Sequence, residues 1–233
     1  MIFRQLFCCD SCTYTYLLGC EGTGQAIFLD PVREHVERDV QLLEELGLTL
    51  AWSLETHVHA DHVTGAGLLR ERLGCQTAMS HQAGADCADR LLRQGDVVQA
   101  GELALLVRET PGHTNTCVTY VLADESMAFT GDAIFVRGCG RTDFQNGDAA
   151  TLFRSVHTQI FSLPDSCLLY PAHDYKGHGA TTVAEERAHN PRLGGGKSLE
   201  AFVAIMDNLN LSMPKHIEEA VPANLSCGRA PTT

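Results

Sequence analysis

No apolar run in this sequence approaches the ~20 residues that a membrane-spanning helix needs; the longest, such as Leu103–Val107, cover barely more than one helical turn. The opening MIFRQLFCCDSC has no sustained apolar stretch ahead of a small-residue cleavage site, so no secretory signal is expected. Positive charge is scarce. Lys and Arg number 17 against 29 Asp and Glu, a net charge of −12, which argues against a nucleic-acid or anionic-membrane partner. An anionic substrate would need a local basic pocket. Repeats and low-complexity linkers are absent. Ten cysteines in 233 residues fall short of the ~8–10 % of a secreted disulfide scaffold, and Cys20, Cys75, Cys87, Cys117 and Cys167 sit in or beside apolar segments. Free thiols in a reducing, cytoplasm-like compartment are expected.

What is present is ordinary for a globular protein: 44% hydrophobic and 20% charged residues, which excludes a disordered or fibrous chain. The length suits one core and is short for two. Strand-like runs appear at Thr13–Leu18 and Ala26–Leu29, the second ended by Asp30-Pro31. Val36–Leu46 has helical spacing, with Gly47 as its C-cap. Alternation over Leu48–Leu54 predicts a strand running into Thr56-His57, followed by a helix over Thr64–Leu73. Strands are expected at Thr77–Ser80, Glu102–Glu109, Val118–Leu122, Met127–Thr130 and Cys167–Tyr170, and helices at Ala149–Phe161 and Leu199–Leu209. The tail from Met213 to Thr233, with Pro214, Pro222 and Pro231, reads as irregular. Strand clusters divided by single helices predict one layered α/β domain over residues 1–233, sheets inside and helices outside.

The strongest chemical signal is His57-Val58-His59-Ala60-Asp61-His62. In extended backbone, residues two apart face the same way, so His57 and His59 are expected to grip one ion, with Asp61 and His62 turned to an adjacent position. His113 follows a Thr-Pro-Gly turn, Asp132 follows Thr130-Gly131, and His173 follows Tyr170-Pro171-Ala172. Each is an apolar strand that stops and delivers a ligand, and strand ends are where open α/β sheets build sites. Any one of these alone could be a surface histidine or a turn aspartate; the ordered set points to metal. His35, His81, His157, His178, His189 and His216 lack such context.

This ordered set resembles the signature of the metallo-β-lactamase superfamily, whose fold is an αββα sandwich of two facing mixed sheets flanked by helices. Over nearly the whole chain, further segments resemble the persulfide dioxygenases, also called sulfur dioxygenases: Ser11–Tyr16, Gly138–Gln145, Tyr170–Tyr175, Glu185–Arg187 with Asn190–Arg192, and Pro222–Asn224. Arg141-Thr142-Asp143-Phe144-Gln145 is the most discriminating stretch.

The resemblance implies an enzyme that oxidises glutathione persulfide with O2 and water to glutathione and sulfite, using one Fe(II) per chain. By it, His57, His113 and Asp132 hold the iron, and two histidines and a carboxylate leave positions open for the persulfide sulfur and O2. His59, Asp61, His62 and His173 would stand behind the ligands and orient them. Arg141 would fork onto a glutathione carboxylate, Tyr175 would bring its hydroxyl near the substrate, and Lys176 and Arg187 are further basic candidates. Family members are often dimers, although no interface pattern is visible here. A cytoplasmic setting is expected, or the mitochondrial matrix if the source is eukaryotic.

Three other readings compete. A glyoxalase II-like hydrolase of glutathione thiolesters would use all seven positions around two metals, but the chain after His173 shows no extended helical substrate module. A metal-dependent sensor that had lost turnover would have little reason to keep every ligand. Cys8, Cys9 and Cys12 resemble half a zinc site without a second half. Cys227, in a segment shared with the family, is placed near the pocket.

Overall fold

In the computed structural model, which describes residues 1–214 and 216–229, the strands assort into two mixed sheets. The first runs in chain order: β1 (Ile2–Cys8), β2 (Thr13–Gly19), β3 (Gln25–Leu29), β4 (Thr49–Leu54), β5 (Gln76–Ser80) and β6 (Arg90–Leu92). The second has β7 (Val97–Ala100) at one edge, then β8 (Leu103–Glu109), β9 (Val118–Leu122), β10 (Met127–Gly131), β11 (Leu168–Pro171) and β12 (Thr181–Thr182). β3 to β6 pair in parallel, as do β10 and β11; the other neighbours are antiparallel.

The layering follows from the twofold period of a strand. Tyr16, Leu18, Ile27 and Leu29 of the first sheet meet Val118, Tyr120 and Phe129 of the second in the central core. The alternate residues Leu17, Ala26 and Phe28 face outward, against α1 (Val36–Leu46) and α2 (Ala66–Leu73). On the far side Val121 and Ala128 are covered by α3 (Ala149–Ser155), α4 (Val183–His189) and α5 (Leu199–Asp207). Burial on both faces explains why these strands read as continuous apolar runs. This is the expected αββα sandwich. Among the described residues no helix is long and apolar enough to cross a membrane.

Four expectations require correction. The tail contains α6 (Ile217–Leu225) despite Pro222 inside it; Ala220 and Ala223 pack on Val63, and that burial outweighs the lost backbone bond. Pro231 lies outside the described residues. The helix from Ala149 stops being regular at Ser155 and continues as a π turn, Val156–Ile160. Cys87 and Cys227 form a disulfide across 140 residues, while the other eight cysteines are free. The bond holds Cys227 in a small cluster with Met79 and Ala85, and it is not among the residues lining the cavity beside the histidines.

Asp30, just past β3, ties the two sheets at the end where the ligands emerge. It is fully buried with φ +50°. Its carboxylate accepts the Thr56 amide at 2.7 Å and the Thr56 hydroxyl at 2.8 Å. Thr56 in turn receives the Val118 amide on its carbonyl, and Tyr120 donates its hydroxyl to the Glu55 carbonyl. Gly131, at φ +54°, closes the seam: a Cβ there would stand 2.8 Å from the Thr56 hydroxyl. Asp30→Ala strands two buried donors, so urea unfolding should show a loss of about 3 kcal/mol, with Asp30→Asn losing distinctly less. A loss below about 1 kcal/mol would mean the seam is held elsewhere.

Candidate metal centre

His57 leaves the end of β4 through Glu55 and Thr56 and is 3% exposed. Because the Thr56 hydroxyl donates to Asp30, it is left to accept from His57 Nδ1, 3.0 Å away. That fixes the ring with Nε2 free. His113, in the β8–β9 loop, is fixed likewise, with Nδ1 donating to the Arg141 carbonyl at 2.6 Å. Its Nε2 lies 3.5 Å from Asp132 Oδ2. Asp132 follows β10, and its other oxygen accepts from His173 Nδ1 at 2.6 Å. Ligand atoms of His57, His113 and Asp132 all lie within 4.8 Å of one another.

The remaining ligand-type residues form a second group, His59, Asp61, His62 and His173. Here Asp61 and His173 satisfy one another, whereas the ring nitrogens of His59 and Nε2 of His62 are buried without a well-aligned hydrogen bond among the described residues. Asp61 Oδ2 accepts from His173 Nε2 at 2.9 Å, from the Thr13 hydroxyl at 3.1 Å, and pairs with His62 Nδ1 at 3.0 Å. His173 is thus gripped through both ring nitrogens by carboxylates. Burial disfavours its charge, but Asp132 and Asp61 outweigh that and hold its pKa well above the ordinary histidine value. Burial likewise opposes ionisation of Asp132, and His173, His113 and His57 prevail, keeping it well below the usual carboxylate range.

His59 departs from the sequence-based expectation. It does not share a group of converging ligand atoms with His57, because the extended backbone ends at Leu54 and the alternation rule lapses before the motif begins. Instead its Nε2 sits 3.1 Å from Asp30 Oδ1 and 3.6 Å from Glu55 Oε2. Against the cost of burial, Asp30 and Asp61 raise it to about 10. Glu55 is pushed up to about 8 by burial and by the Asp30 charge.

Asp30, Thr56 and Thr13 did not figure among the candidate residues. Asp30 obeys the pattern that identified the others, an apolar strand ending in a carboxylate, but its Asp-Pro context reads equally well as a turn. Asn224 was overlooked as well. It lies on α6, donates to the carbonyls of His59 and His62 at 2.9 Å each, and accepts the Thr64 amide at 2.8 Å.

The His57–His113–Asp132 group opens into a cavity of about 560 Å³. Arg141 and Tyr175 both line it. The Arg141 guanidinium already forks onto Asp143 at 2.6 and 2.7 Å and donates to the Ser212 carbonyl at 2.6 Å. Tyr175 is 68% exposed, its ring parallel to that of His173. Lys176 and Arg192 also line the cavity, and among the described residues neither meets a carboxylate; Arg192 donates to the Cys139 carbonyl at 2.9 Å. Arg187 points elsewhere, to Asp165 and the Phe161 carbonyl. Cys8, Cys9 and Cys12 belong to no cluster of candidate metal ligands among the described residues.

The donor set fits a metal ion: two imidazoles with free Nε2 atoms and one carboxylate oxygen converge, each locked by a bond on its other side. Gly140 makes this possible, since a Cβ there would lie 2.6 Å from the Asp132 carbonyl and 2.7 Å from His113 Nδ1. Gly140→Ala must turn His113 off the Arg141 carbonyl. Chelator competition should show metal affinity reduced roughly 10- to 100-fold while the circular dichroism spectrum is retained; unchanged affinity would show that the His113 orientation is not limiting.

Comparison with known proteins agrees with this geometry. The sequence profile of the metallo-beta-lactamase superfamily matches residues 13–173. The mitochondrial persulfide dioxygenases ETHE1 of Bos taurus and Homo sapiens are each 56% identical to the chain, over 98% of its length and 89% of theirs. The crystal structure of ETHE1 from Myxococcus xanthus superposes with a TM-score of 0.95 at 54% identity, covering 98% of this chain and all of that one. A chain this similar over nearly its full length, with a metal-ligand cluster at the ends of its facing sheets, belongs to the persulfide dioxygenase family of the metallo-beta-lactamase superfamily.

Proposed function

We propose that this protein is a persulfide dioxygenase that oxidises glutathione persulfide with O2 and water to glutathione, sulfite and two protons, at one Fe(II) held by His57, His113 and Asp132. The observation that carries the reading is the open-faced group of two histidines and one carboxylate, whose Asp132 is held on its other side by His173, itself held by Asp61. Bound iron supplies the one-electron steps that triplet O2 requires, which zinc cannot. The chain supplies orientation. Asp30 acts through Thr56 on His57, the Arg141 carbonyl acts on His113, and His173 acts on Asp132. Asp61 steadies His173 from behind, with His59 and His62 around it.

The rival two-metal thiolester hydrolase needs Asp61, His62 and His173 to turn their donor atoms to a second ion. Here Asp61 and His173 are engaged with each other and His173 also with Asp132, which favours the single-metal reading; of the three, His62 alone keeps a ring nitrogen without a partner among the described residues. On the substrate side, the glutathione carboxylates find cations at Lys176 and Arg192, while Arg141, bound to Asp143, forms the wall, and Tyr175 stands at the mouth.

Anaerobically prepared, Fe(II)-loaded protein should consume O2 on addition of glutathione persulfide, with one sulfite per O2. His57→Ala, His113→Ala and Asp132→Ala should each lose activity at least a thousandfold together with bound iron. Absence of uptake from protein with verified iron, or two tightly bound ions per chain, would move the assignment to the hydrolase.

A further inference from the structure

The HxHxDH loop is fastened from the far end of the chain. Asn224 of α6 spans it with three hydrogen bonds, two donated to the carbonyls of His59 and His62 and one accepted from the Thr64 amide. Three residues later Cys227 receives the Gly67 amide on its carbonyl at 3.0 Å, at the start of α2. The approach is so close that a Cβ on Gly67 would stand 2.4 Å from that carbonyl. The described chain ends soon after, at Arg229. Ala220 and Ala223 pack on Val63, Glu219 and Arg229 make surface ion pairs with Arg33 and Glu71 respectively, and the covalent anchor of this end is the Cys87–Cys227 bond.

The two sulfurs are unequally placed. Cys227 is 2% exposed, whereas Cys87, in the turn before β6, is half-buried. Exchange begins at the sulfur that an incoming thiolate can reach. We propose that Cys87–Cys227 is a thiol-exchange site, where a low-molecular-weight thiol adds to Cys87 and the release of Cys227 slackens the Asn224 clamp on the metal-bearing loop. In the first step the attacking thiolate forms a bond to Cys87 Sγ. The Cys87–Cys227 bond breaks, and its electron pair leaves with Cys227, which takes up the proton the attacking thiol has lost. A second thiol then displaces Cys87 from the mixed disulfide. In sum, two thiols are oxidised to their disulfide and the cysteine pair is reduced to two thiols. The inference holds whatever substrate occupies the cavity.

The test uses the full-length, metal-loaded protein in a series of glutathione/glutathione disulfide buffers. Peptide mapping scores the Cys87–Cys227 bond, and hydrogen exchange is read at the Thr64 and Gly67 amides with β9 as the internal control. Opening the bond should speed exchange at both amides at least tenfold and accelerate metal release to a chelator by a similar factor, with β9 unchanged. Cys227→Ser should exchange fast without added thiol and should accumulate glutathione on Cys87. If that variant fails to fold, Cys87→Ser gives the same comparison of exchange rates, and the wild-type titration decides alone. Bond opening that leaves Thr64 and Gly67 exchange unaltered would overturn the proposal, as would a pair that stays unbonded in every buffer.

Discussion

A carboxylate with no access to water must find donors, and Asp30 finds them on Thr56 and beside His59. Through Thr56 it decides which nitrogen of His57 faces the cavity. Its charge raises the pKa of the buried His59 and, after burial itself, adds to the rise at its neighbour Glu55. The rest of the centre repeats this arrangement. Asp132 and Asp61 hold His173 between them, and each histidine that faces the open side has its other nitrogen occupied. Rigid donors arise here because buried charges leave few ways of satisfying one another.

The sandwich supplies the place for this. Strands buried on both faces can end in polar residues only where they leave the core, and the parallel pairs β3–β4 and β10–β11 leave it side by side. Asp30 and Asp132 follow their strands at once, while His57 and His173 follow after short turns. Gly131 lets the two sheets approach at that edge, and Gly140 lets the loop bearing Arg141 lie against His113.

Much of this was legible in the sequence because it depended on local periodicity. The spacing of Val36, Val40, Leu43 and Leu46, with Gly47 left-handed behind them, gave the bounds of α1 to the residue. The strand ends that deliver His57, His113, Asp132 and His173 were visible for the same reason. What was hidden depended on distant partners. The pairing of His57 with His113 rather than His59 follows from a chain that has already left its strand. Pro222 signals a break that Val63 and Asn224 override. Cys87 and Cys227 are too far apart in sequence to suggest each other, and the reach of Arg141 to Ser212 depends on how the segment after α5 returns to the cavity.

Lys176 and Arg192, cations facing the cavity without carboxylate partners among the described residues, belong to a protein with net charge −12. At physiological ionic strength their pull extends about 8 Å into solvent. Beyond that distance an approaching molecule meets the repulsion of the acidic exterior. A small, flexible anion can slip inside that range and be captured, whereas a polyanion large enough to feel the whole surface is turned away. The charge pattern therefore sieves by size as well as by sign.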